Sequence, residues 1–145
     1  MSHVGLAIWF DDRLCCLEAM EGSGVRLFPV SKFIEDGDWV DWYELYDESV
    51  SREQMVKYGL TCWGKRYASI WQFIRSWSIV CRRWFDKNLA APDTNQERFF
   101  CSEFVMAALK EGGYAGEGYE RPPARTSPGD IVELPCLHRM GRLTP

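Results

Sequence analysis

Val4, Leu6, Ile8 and Phe10 alternate with His3, Gly5, Ala7 and Trp9, the period of a strand with one buried face. Asp11-Asp12 reads as a two-residue hairpin turn, and Leu14 to Met20 as the returning strand. After the Gly22-Ser23-Gly24 turn a third strand is predicted from Val25 to Val30, with Pro29 placing it near an edge or at its end. Ser31 is suited to cap a short helical turn that reaches Glu35. Trp39 to Tyr46 mixes aromatic and acidic residues and is predicted as strand. Ser51 with Gln54 forms a capping box for a short helix that stops before Gly59, and Thr61 to Tyr67 is expected to be a loop.

The longest helix is predicted from Tyr67 to Asp86. Trp71, Ile74, Trp77, Cys81 and Trp84 share a face, with Gln72, Arg75, Arg82 and Arg83 largely off it. A second helical pattern runs from Cys101 to Gly112: Val105, Ala108 and Leu109 form its apolar face, and Gly112-Gly113 ends it. Ser127-Pro128-Gly129-Asp130 is expected to turn into a last strand, Ile131 to Leu134, leaving Pro135 to Pro145 as a loose or partner-bound tail. The whole predicts one α+β domain over residues 1–145. A small, mainly antiparallel sheet or partial barrel carries the Cys101 helix packed against it.

Charge narrows the partners. The net charge is −4, which gives no reason to expect nucleic acid. It is uneven, with five basic and twelve acidic residues over 1–60 but seven basic and three acidic over 61–100. The second stretch holds the predicted Tyr67–Asp86 helix; Trp71, Trp77 and Trp84 are expected mainly in the core, and the alternative is that its tryptophan and arginine faces contact a membrane surface. There is no signal-peptide pattern and no uncharged run of about 18 residues, so synthesis in the cytoplasm is expected.

The six cysteines do not read as a disulfide framework. Cys15 and Cys16 are adjacent on a predicted strand and point to opposite faces, and no C-x-x-C pair occurs. Cys136-Leu137-His138 is too little for a zinc site, so reduced thiols, no metal and no cofactor are expected. Cys101 differs from the others by its place at a helix start. Unpaired N–H groups and the helix dipole favour a thiolate there, and the thiolate is the nucleophilic form. The competing reading of Cys101 is a small buried hydrophobe.

A cysteine nucleophile needs a base. The chain has two histidines, His3 and His138. His3 opens the first strand, beside Gly5, and a glycine within a strand often marks the close approach of another backbone. Hairpin parity then selects an acid to orient His3. With Asp11-Asp12 as the turn, Phe10 faces Arg13 and His3 falls opposite Met20. Glu18 lies diagonally beside His3 on the same face, whereas Glu21 points to the other. The N–H of Cys101 is a natural donor to an oxyanion.

SHVGLAI, LEAMEGSGVRLFPVS, GKRY, FFCSEFVMAAL and SPGD, in this order along nearly the whole chain, resemble the permuted papain-like amidases. These are the YaeF/YiiX-type branch related to the NlpC/P60 cysteine peptidases. The order histidine, acid, cysteine is that of the permuted branch. The resemblance implies amide hydrolysis through Cys101, His3 and Glu18, with a peptide or a peptidoglycan stem peptide as substrate. It also points to Tyr67, and with it Trp63 and Ser102, as substrate contacts. Thioester hydrolysis and acyl transfer use the same constellation. Such proteins usually carry a further strand before the histidine, expected here to be absent or replaced by Gly129 to Leu134. A competing class is a non-catalytic phage or secretion-associated module, built into a larger particle such as a virion.

Overall fold

The computed structural model describes residues 3–67 and 98–144. Strands β1 (Leu6–Phe10), β2 (Arg13–Met20) and β3 (Gly24–Pro29) form an antiparallel sheet in that order. Asp11 and Asp12 take φ of 48° and 60°, the left-handed pair that a two-residue hairpin between twisted strands requires. Phe10 therefore pairs with Arg13, and the register runs unbroken to Leu6 and Leu17. Leu17, Ala19 and Val25 face the core from one side of the sheet; Cys16, Glu18, Arg26 and Phe28 share the other.

Helix α1 (Val30–Glu35) begins two residues earlier than expected. Its N-cap is Pro29, whose fixed φ suits the entry, and no side chain caps it, so Ser31 lies inside the first turn instead. Strand β4 (Val40–Leu45) follows, then helix α2 (Arg52–Thr61), where the hydroxyl of Ser51 accepts the Gln54 N–H at 3.2 Å. Gly59 does not end α2. A Cβ there would lie 2.6 Å from Leu17 Cδ2 and 3.3 Å from Phe104 Cζ, so the bare backbone is what lets α2 press on the core. The predicted loop after it also contains a strand: β5 (Arg66–Tyr67) pairs in parallel with β6 (Arg98–Phe99).

Helix α3 (Cys101–Glu111) packs on α2 and β2. The sequence predicts one apolar face, yet every residue from Cys101 to Met106 is buried, together with Ala108 and Leu109. It is the central element of the core. Burying Leu17, Phe104, Met106 and Leu109 contributes about 1.5–3 kcal/mol each.

The C-terminal part differs most from expectation. Residues Pro128–Val132 form helix α4, and the strand expected over Ile131 to Leu134 does not exist. Ser127 and Asp130 make a capping box: the Ser127 hydroxyl accepts the Asp130 N–H at 3.2 Å, and Asp130 Oδ2 accepts the Ser127 N–H at 2.8 Å. Pro128, at the helix start, loses no hydrogen bond. Gly129 to Leu134 therefore cannot replace a leading strand. Nor is the tail loose, since β7 (Leu137–Leu143) pairs antiparallel with β4, with a bulge between Trp42 and Tyr43. Asp41 of β4 holds both Arg139 and Arg142 of β7, at 2.6–2.8 Å.

The class is thus α+β with small, mainly antiparallel sheets. Among the described residues these are three separate hydrogen-bonded sets rather than one sheet or partial barrel. The helix predicted from Tyr67 to Asp86 lies outside the described residues except for Tyr67 itself, which is in β5. Among those described, no helix is long and apolar enough to cross a membrane.

Candidate active site

His3 precedes β1, and Val4 beside it is buried, which anchors this segment to the core. Gly5 explains how closely it lies against β2. A Cβ at Gly5 would sit 2.3 Å from Cys16 Sγ and 3.0 Å from the Leu17 carbonyl oxygen. His3 thereby comes within reach of Glu18, whose Oε2 accepts from His3 Nε2–H at 2.6 Å. Glu18 is wholly buried. Its other oxygen, Oε1, is 2.8 Å from both Nε and Nη2 of Arg26, the residue directly opposite on β3.

Cys101 is the first residue of α3, and its thiol and the His3 ring interact closely enough that each shifts the other's pKa. Because Glu18 occupies Nε2, the nitrogen left for Cys101 is Nδ1. Burial is the largest single influence on the Cys101 thiol and pushes its pKa up. The His3 contact and charge outweigh it, with help from the N–H groups of Val4 and Ser102, so the net direction is down. The same balance acts on His3. Burial alone would lower its pKa, but the hydrogen bonds and charges of Cys101 and Glu18 raise it to about 9. Glu18 is likewise opposed by its burial and carried below the usual carboxylate range by His3 and Arg26. The three shifts all run in the direction of thiolate, imidazolium and carboxylate.

Cys16 stands on the sheet face that carries Glu18, its Sγ 4.0 Å from Glu18 Oε2. Burial first and the Glu18 charge second push this thiol up, so it stays protonated and unreactive. Cys15, Cys16, Cys62, Cys101 and Cys136 are all free thiols. Among the described residues, no group of three or more His, Cys, Asp or Glu side chains could hold a metal ion.

The other predicted contacts fall differently. Ser102 is buried and its hydroxyl donates to the Thr126 carbonyl, which ties α3 to the turn at Pro123–Arg125. Its hydroxyl is thus engaged with the backbone, and its backbone N–H lies beside Cys101. Trp63 is exposed in the turn between α2 and β5. That turn is held on β3 by Val25 N–H to the Lys65 carbonyl at 2.8 Å and Gly64 N–H to the Val25 carbonyl at 2.9 Å. The backbone of Tyr67 pairs with Phe99, next but one before Cys101. Glu21 is exposed in the turn after β2, away from His3.

Arg26 is the site residue that the sequence reading missed. The signal was present, because Met20 pairs with Gly24 across the second hairpin and the same parity sets Arg26 against Glu18. Compared with known proteins, the chain matches no family model and no curated sequence.

Proposed function

We propose that the protein is a cysteine hydrolase of the permuted papain-like type, acting on an amide bond through Cys101, His3 and Glu18. The observation that carries this reading is the continuous array from the Cys101 thiol through the His3 ring to a buried, ionised Glu18. A Cys/His hydrolase needs those three groups in that order. The ordered motifs resembling that group supply the amide bond as the expected target.

In the reaction, Cys101 Sγ attacks the acyl carbonyl carbon and a C–S bond forms. The oxygen becomes an oxyanion, for which the Cys101 N–H, among the first-turn amides that a helix cannot satisfy internally, is a donor. His3 passes its Nδ1 proton to the leaving amine, the C–N bond breaks, and a thioester remains on Cys101. Water then attacks the thioester while neutral His3 takes its proton. The C–S bond breaks to release the carboxylic acid, and Cys101 returns as thiolate opposite imidazolium. Glu18 accepts the Nε2–H throughout and holds the ring so that Nδ1 faces sulfur.

The test is turnover on peptidoglycan fragments, acyl thioesters and simple peptides, with Cys101→Ala as control. Hydrolysis of an amide, lost in Cys101→Ala, is the expected result. Faster reaction with thioesters alone would move the reading to a thioesterase or acyltransferase. No turnover on any of them, with Cys101 no more reactive than the other thiols, would favour a structural module.

A further inference from the structure

We propose that Arg26 is a positioning residue of this site, which keeps Glu18 a buried carboxylate so that Glu18 can hold His3. Its catalytic meaning rests on the hydrolase reading, whereas the contacts stand independently of it. A carboxylate with no exposed surface persists only beside partners that answer its charge. Glu18 divides its oxygens between two: His3 on Oε2, Arg26 on Oε1. His3 alone is an unsteady partner, because it surrenders its proton during acyl transfer. Arg26 remains cationic at every step. When His3 becomes neutral, Glu18 still faces a fixed charge and has no reason to take up a proton or turn away.

Arg26 is itself held in place. Its guanidinium carbon lies 4.3 Å from the centre of the Phe28 ring, and Phe28 packs on Phe33 of α1 with ring centres 5.0 Å apart. The pairings Glu18 with Arg26 and Cys16 with Phe28 put acid, cation and ring on one sheet face. Among the described residues, the titratable groups that meet Glu18 are His3 from the segment before β1, Cys16 on β2 and Arg26 on β3. Cys101 on α3 reaches it through His3.

The experiment follows the ring-proton NMR signals of His3 against pH, with His138 as internal reference, in Arg26→Met, Arg26→Lys, Glu18→Gln and Glu18→Gln/Arg26→Met. Loss of the Arg26 cation drives the pKa of a buried carboxylate upward. In Arg26→Met the His3 signals should therefore gain an acid-side step at least about one pH unit above any in the unaltered protein. Arg26→Lys should remove most of that change. In the Glu18→Gln background, Arg26→Met should leave the His3 curve where Glu18→Gln alone puts it, since Arg26 acts through Glu18. An unmoved curve in Arg26→Met, or an equal shift in the Glu18→Gln background, overturns the proposal. If Arg26→Met fails to fold, a folded Glu18→Gln/Arg26→Met supports the proposal, because the defect was then the orphaned carboxylate. A double variant that also fails to fold overturns it. None of these readouts needs turnover, so failure of the hydrolase reading, seen as an inert Cys101 in the unaltered protein, is a separate result.

Discussion

His3 and Glu18 meet across the first hairpin: the imidazole Nε2, from the segment before β1, lies 2.6 Å from the Glu18 carboxylate on β2. The Phe10–Arg13 register runs to Leu6 and Leu17, and the same parity continued past the end of β1 assigns Glu18 to the face of His3. Replacing Glu18 by Gln keeps shape but lets the ring turn. It should lower kcat/KM by about 10²–10⁴, as loss of an orienting carboxylate does. Glu21→Gln, in an exposed turn, should change it less than about tenfold, and steady-state kinetics on both variants decides.

The pH window follows from the signs of the shifts. Catalysis needs the Cys101 thiolate and the His3 proton together. The acid limb of kcat/KM should lie below the ordinary thiol range, and the alkaline limb should fall as pH rises through about 9. Stability carries the same signature. His3 has its folded-state pKa raised from 6.5, so its contribution is complete below pH 6.5 and lost as pH passes about 9. The gap in Tm between the protein and His3→Gln should therefore narrow between about pH 6 and about pH 10.

Gly5→Ala tests the close approach of the His3 segment to β2. The new Cβ meets Cys16 Sγ and the Leu17 backbone, and overpacking of this kind costs about 1–3 kcal/mol. Because His3 is next but one to Gly5, activity should fall with stability. Adding Cys16→Ala removes the nearer obstacle and should recover part of both, as thermal melts and kinetics will show.

Ending the chain after Cys136 should leave a protein that does not fold cooperatively. It removes β7 and strips β4 of its hydrogen-bonding partner, the two arginines on Asp41, and Leu137 from against the core. Near-ultraviolet circular dichroism of the truncated chain checks this; a native-like spectrum and melt would return residues 137–143 to the status of a tail.

The parts legible in the sequence are those with short-range causes. Two adjacent aspartates force a two-residue turn, the turn sets parity, and parity singles out Glu18. A helix start at Cys101 is likewise written locally, in the apolar run behind it and the glycines that end it. Arg26 needed the same parity carried through one more hairpin, whose loop is Glu21 to Ser23 rather than Gly22 to Gly24. The C-terminal elements were harder for two different reasons. Ser-Pro-Gly-Asp serves equally as a turn and as a capping box, and the choice depends on Ile131 finding a place in the core. Strand β7 has a glycine and two arginines, poor strand formers on their own. Its partner β4 lies far back in the sequence, with Asp41 and Arg139 separated by 98 positions, so no local pattern announces the pairing.

The most direct measurement of the central claim is iodoacetamide labelling resolved by peptide mass, at pH 6, in the protein and in His3→Ala. The account predicts that Cys101 labels well ahead of Cys15, Cys16, Cys62, Cys81 and Cys136, and that His3→Ala slows Cys101 alone. Labelling of every accessible thiol at one rate, near that of a cysteine with pKa about 8.5 and unaffected by His3→Ala, would contradict it.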